Sequence, residues 1–173
     1  LFMSGDGGIS WVVPNLPSTT ARISDIEFDP LRPEVAYAAG WHSHTGERTG
    51  VIFKSDDGGS SWVTIFELEG GDIGDLSIDP RTPDILYAGS VRKVHEPGLF
   101  RSTDSGATWK KIHAGGPTEI VVDPHDSNTL YVAMRERVEG GVYRFTLRND
   151  KTAVEEVTWG IVKQRSAPLP HQD

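Results

Sequence analysis

The 173-residue chain contains no cysteine. Disulfides, thiolate metal centres and a thiol nucleophile are therefore excluded, while the redox compartment is left undecided. There is no run of about 18 apolar residues, so no segment reads as a membrane-spanning helix. Nor does any window show a clear 3.6-residue apolar stripe of the kind an amphipathic helix needs. Positive charge is in short supply: 17 Lys and Arg stand against 25 Asp and Glu, a formal net charge of −8. That balance argues against nucleic acid or an anionic membrane surface as the main partner. What the chain does hold is 19 Gly, 11 Pro and 36% hydrophobic residues, the composition of a turn-rich all-β protein with enough apolar material for a core.

One eight-residue pattern, S-x-D-x-G-x-x-W, occurs three times, starting at Ser4, Ser55 and Ser102, so that the copies begin 51 and 47 positions apart. A period of about 40–50 residues is the mark of a repeat architecture such as a propeller. A second motif keeps step with the first: Ile23 to Pro30, Ile73 to Pro80 and Thr118 to Pro124 each end in Asp-Pro. After each comes a short polar link and another apolar run, at Val35–Gly40, Ile85–Gly89 and Thr129–Ala133. Each repeat thus carries four strand-like runs bounded by turn residues, here called A to D. In the first full repeat A covers about 23–28, B 35–39, C 50–55 and D 61–66. Ile26 and Phe28 alternate with Asp25 and Glu27, which predicts a half-buried strand with the apolar pair inward. Proline lacks an N–H for the ladder and restricts the residue before it, so Asp-Pro ends strand A.

The eight-residue pattern falls between C and D, where its residue types suit a tight hairpin. An Asp side chain accepts hydrogen bonds from backbone N–H groups of its own turn, Gly supplies conformations other residues resist, and the Ser hydroxyl adds a local bond. The Trp then packs its ring under the turn, with the indole N–H free for a nearby carbonyl. Ser4, Asp6, Gly8 and Trp11, then Ser55, Asp57, Gly59 and Trp62, then Ser102, Asp104, Gly106 and Trp109 are accordingly read as structural. The same residues recur in every copy, whereas a catalytic site is needed once.

On these residues the chain resembles the Asp-box, or BNR, repeat proteins: sialidases, propeller-built xyloglucan-cleaving endoglucanases, sortilin-type receptors and many secreted bacterial proteins. The resemblance covers residues 1 to about 163 and implies an all-β fold, a β-propeller of about three and a half four-stranded blades. It also implies an extracellular or periplasmic location. Residues 1–13 supply a C–D hairpin, 23–68, 73–113 and 117–163 supply blades, and 164–173 read as a polar tail or linker. In the last blade Gly141 to Phe145 align with strand C, the eight-residue pattern has dissolved into Thr146 to Asp150, and Trp159 is left for strand D. Such an arc does not close a ring that takes four to eight blades. The missing initiator Met and the start at Leu1-Phe2 point to a piece of a longer chain; several copies completing one ring is the alternative.

Propeller geometry puts the Asp boxes on one face and the B–C loops on the other, where ligands of such proteins usually bind. The B–C loops, about 40–50, 89–98 and 134–141, are the least repetitive part of each blade, which suits recognition. They gather Trp41, His42, His44 and Arg48, then Arg92, Lys93 and His95, then Arg135 and Arg137. That grouping matches an anionic glycan or an acidic protein surface, although Glu47, Glu96, Glu136 and Glu139 alternate with it as neutralising neighbours. His42 and His44 fall on one side of an extended segment with Glu47 nearby, but spacing fixes no third ligand, so neither a metal nor any other cofactor is expected. The weak catalytic candidates are Asp25, Asp75 and Glu119, one acid at the same place in each strand A. Crowded carboxylates raise one another's pKa, as glycoside hydrolysis requires; their repetition favours architecture instead, through bonds to the next blade.

Resemblance to the enzymes is incomplete. The nearest match to the sialidase Arg-Ile-Pro stretch is Arg22-Ile23-Ser24, without the proline. The Gly-rich stretch before the first catalytic Asp of the xyloglucan-cleaving enzymes is missing too. The expectation is a non-catalytic module that binds a glycan or protein through its B–C face. The alternatives are part of a secreted glycoside hydrolase, or a self-assembling structural protein.

Overall fold

In the computed structural model, residues 1–18, 21–44, 46–90, 97–134, 141–147 and 158–161 are described, His44 and 158–161 by backbone alone. Among the described residues twelve strands form three antiparallel sheets, each ordered as the chain runs. The first sheet holds β1 (Arg22–Phe28), β2 (Ala36–His44), β3 (Glu47–Ser55) and β4 (Val63–Glu69). The second holds β5 (Asp75–Ile78), β6 (Leu86–Ser90), β7 (Gly98–Ser102) and β8 (Lys110–His113), and the third β9 (Pro117–Val122), β10 (Thr129–Met134), β11 (Gly141–Thr146) and β12 (Thr158–Ile161). Four-stranded meanders packed face to face in sequence are blades of a β-propeller. Residues 164–173, expected as a tail, lie outside the described residues.

Two apolar seams join the blades. Tyr37, Ala39 and Ile52 of the first meet Leu76, Ile78 and Leu86 of the second. Tyr87 and Leu99 of the second meet Ile120, Val122 and Leu130 of the third. Close approach demands a glycine at position 40, where a Cβ would strike the carbonyl of Arg22 on the neighbouring strand. The opposite face of the first blade packs Ala36, Ala38, Val51, Phe53 and Trp62 under Leu1, Leu16, Ala21 and Ile23. The N-terminal hairpin in this region is closed by the Met3–Val12 pair, whose two backbone bonds measure 2.9 and 2.8 Å.

One expectation about β1 is overturned. Its alternation holds, but in the opposite sense: Ile26 and Phe28 are 37% and 54% exposed, while Asp25 and Glu27 are partly buried. The acids face the second blade, and the apolar pair faces the side that a preceding blade's inner strands would cover.

Asp-Pro does more than stop strand A. Asp29, 2% exposed, accepts the N–H groups of Leu31 and Arg32 at 2.8 and 3.0 Å. Asp79 accepts those of Arg81 and Thr82 at 2.9 and 3.2 Å, and Asp123 that of His125 at 2.8 Å. Each aspartate thus folds the A–B turn around its own carboxylate.

The eight-residue turns repeat one set of bonds. Ser55 Oγ donates to Asp57 Oδ1 at 2.8 Å and accepts the Gly59 N–H at 2.8 Å. Asp57 also accepts the Ser61 N–H at 2.9 Å and the Ser61 hydroxyl. Trp62 Nε1 donates to the Gly59 carbonyl at 2.9 Å, with Trp109 to Gly106 at 3.0 Å and Trp11 to Gly8 at 3.2 Å as counterparts. Gly58 and Gly59 sit at φ of 70° and 91°, the left-handed region. Hydrogen bonds from the Ser61 hydroxyl, its backbone and Ser55 hold Asp57 down to about 2. Asp6 lies at about 2 for the same reason, through Ser10 and Ser4.

Candidate functional site

At the end of the blades opposite these turns, β2 and β3 continue to His44 and Glu47. Trp41, His42 and Arg48, expected in a loop, therefore stand on paired strands, in the register Trp41 with Gly50, His42 with Thr49 and Ser43 with Arg48. Trp, His and Thr favour a pleated ladder, and the reversal is compressed to the turn at Gly46, with φ of 93°.

Strand alternation splits the cluster between two sides. Trp41 and Ser43 share a side, and Arg48, opposite Ser43, lays its guanidinium 3.8 Å from the centre of the Trp41 ring. Arg22, opposite Trp41, reaches the same ring at 5.3 Å. Two cations around one indole are a cation–π arrangement. Arg48 Nη1 also lies 3.8 Å from Asp72 Oδ2, and the other oxygen of Asp72 is buried with no hydrogen-bond partner among the described residues. Asp72, in the D–A connection, is a member of this cluster that sequence reasoning missed; it lies 24 positions from Arg48 in the chain, and no motif marks it. His42 points the other way, its Nε2 3.9 Å from Glu67 Oε1 on β4. The group as a whole offers a flat aromatic, two guanidiniums and a partly unsatisfied carboxylate, a set suited to recognition. Among the described residues no group of three or more His, Asp or Glu is arranged to hold a metal. Arg92, Lys93, His95, Arg135 and Arg137 lie outside the described residues.

Of the strand-A acids, Asp25 and Asp75 stand at the seams. Asp25 accepts the Ile26 N–H at 2.8 Å through Oδ1 and the Leu76 N–H of the next blade at 2.9 Å through Oδ2. Asp75 Oδ2 is buried without a hydrogen-bond partner among the described residues. Burial, then the charges of Asp25, Glu119 and Glu27, push Asp75 up to about 7. Burial and then Asp25 raise Glu27 to about 7 as well. Glu119 is exposed on the far side of the third blade. A carboxyl near neutrality suits an acid catalyst, but both oxygens of Asp25 already hold backbone N–H groups.

These sheets and seams define a segment of a β-propeller, and similarity to known proteins agrees. No protein-family model matches the chain. It is 33% identical over 114 residues to xyloglucanase Xgh74A of Acetivibrio thermocellus, covering 60% of this chain and 13% of that protein. It is 35% identical over 107 residues to a xyloglucanase of Paenibacillus sp, covering 56% of this chain and 10% of that protein. A xyloglucanase of Hypocrea jecorina is 32% identical over 117 residues, 61% of this chain and 14% of its own length. Thus the chain spans only about a tenth to a seventh of these curated relatives. Among solved structures, the GH74 xyloglucanase from Xanthomonas campestris superposes with a TM-score of 0.72 at 19% identity, over 92% of this chain and 26% of that one. YCF48 bound to D1 peptide superposes with a TM-score of 0.54 at 19% identity, over 75% of this chain and 37% of that one.

Proposed function

We propose that these residues supply glycan-recognising blades of a xyloglucanase-like glycoside hydrolase acting outside the cell, and that they do not carry its catalytic acids. The observation that carries this reading is the 32–35% identity to three xyloglucanases over more than half of the chain. The repeated eight-residue turns, read as Asp boxes, support it, as does the Trp41, Arg22 and Arg48 cluster at the opposite end. In this reading residues 1–163 are three and a half blades and 164–173 a tail or linker. Trp41 offers an apolar face to a sugar ring and the guanidiniums donate to its hydroxyls. Asp25 and Asp75 serve the seams.

Titration of a xyloglucan oligosaccharide into the chain by calorimetry tests this. Trp41→Ala and Arg48→Ala are each expected to weaken binding about tenfold, the loss of about 1.4 kcal/mol, with Asp25→Asn leaving affinity unchanged. Binding that survives both substitutions would refute the recognition role. Binding lost with Asp25→Asn at intact stability would return the strand-A acids to the site.

A further inference from the structure

Strand alternation sorts the charges at the rim of the first blade. Paired residues share a side, so Arg22 and Arg48 stand on the side of Trp41 and Ser43. Glu69 pairs with Thr49 and Glu67 with Val51, which puts both with His42 and Glu47 on the other side. The 3.9 Å approach of His42 to Glu67 agrees. The glutamates that neighbour these arginines in sequence or in the sheet are thus turned away from them. On the Trp41 side the near carboxylate is Asp72, 3.8 Å from Arg48. Asp25, farther along that side, has both oxygens on backbone N–H groups, and Glu27, opposite Tyr37, lies farther still.

Stacking holds both guanidiniums without using their donors. β1 and β3 flank β2, so the two arginines come to the Trp41 ring from its two neighbouring strands, at 5.3 and 3.8 Å from its centre. A guanidinium held through its flat face keeps its N–H groups available in its own plane. Among the described residues neither Arg22 nor Arg48 donates a hydrogen bond, and no carboxylate pairs with the exposed Arg22. Two guanidinium charges against the one carboxylate of Asp72 leave a single positive charge over, in a chain of formal net charge −8. A planar acceptor with one negative charge matches that set in shape and in charge.

We propose that the Trp41 cluster selects an acidic sugar: a uronic acid unit of the glycan sets its carboxylate on Arg22 and Arg48 while its ring lies along the indole. The inference rests on the glycan reading above and adds the substrate class to it, a carboxylated chain or branch in place of a wholly neutral one.

The probes are a xylo-oligosaccharide bearing one glucuronic acid branch and the same oligosaccharide with that carboxyl reduced to the alcohol, each titrated into the 173-residue chain by calorimetry. At low salt the acid is expected to bind about tenfold more tightly than its reduced counterpart, the scale of a charge-assisted hydrogen bond, and the ratio should fall as salt screens an exposed pair. Arg22→Gln should bring the ratio close to one, and Arg22→Lys, which keeps the charge, should retain a salt-sensitive preference. Equal affinities for the two probes in the unaltered chain would overturn the selectivity while the glycan reading stands; binding of neither would refute both. A ratio that survives Arg22→Gln would overturn the paired-guanidinium contact. A glutamate-rich peptide that displaces the acidic oligosaccharide with equal affinity would give the surface to an acidic protein and overturn the sugar as its ligand.

Discussion

At the scale of single residues, identical motif letters carry different energies because their surroundings differ. Trp62 and Trp11 make the same bond to a turn carbonyl, yet Trp62 is 7% exposed within the cluster over Phe53 and Val51, and Trp11 is 61% exposed. Removing a buried indole leaves a cavity, so Trp62→Ala should cost about 3–5 kcal/mol. Trp11→Ala should stay near about 1 kcal/mol or less, the range of a surface change that loses one hydrogen bond. Urea denaturation of the two variants checks this, and equal losses would show that the hairpin is braced as firmly as the complete blade. The motif is legible in sequence because its bonds span four residues; the unequal burial is not, because the covering strands are remote in the chain.

At the scale of elements, the seam between strands A is held by backbone hydrogen bonds and opposed by like charge. Asp75 and Glu27 have ordinary values of 3.8 and 4.5 and stand at about 7 in the fold. Between roughly pH 4 and pH 7 the folded state therefore binds more protons than the unfolded one, so their contribution is full at low pH and is lost as pH rises through about 7. The turn aspartates work the other way: Asp6 and Asp57, held at about 2, stabilise above about pH 4 and lose that contribution as pH falls toward 2. Melting temperatures measured from pH 4.5 to 8 should decline toward the alkaline end. Asp75→Asn is nearly isosteric and removes the charge, so it should flatten that decline and raise the melting temperature at pH 7.5. A flat wild-type profile would refute the account. The sequence showed three acids in register, but the burial that raises Asp75 comes from its place between two blades, which no local pattern reveals.

At the scale of the molecule, the two seams make the blades interdependent. Ile52 and Leu99, both fully buried, sit in different seams. Ile52→Ala and Leu99→Ala should each remove about 2–5 kcal/mol and shift one common unfolding transition followed by circular dichroism. Two separate transitions would mean that the blades unfold singly, as nearest-neighbour repeat arrays do when their cooperativity fails.

The amino-acid sequence by itself determined the repeat, the four-strand blade and the turn chemistry, because period, alternation and capping act within one strand pair. Tertiary structure alone decided the rest. It turned Ile26 and Phe28 to the open side, carried Trp41 and Arg48 from an expected loop onto paired strands, and brought Asp72 beside Arg48. Each of these outcomes depends on which face of a sheet has a neighbour, and that is set by packing between segments some 25 to 50 residues apart, beyond the reach of any local pattern.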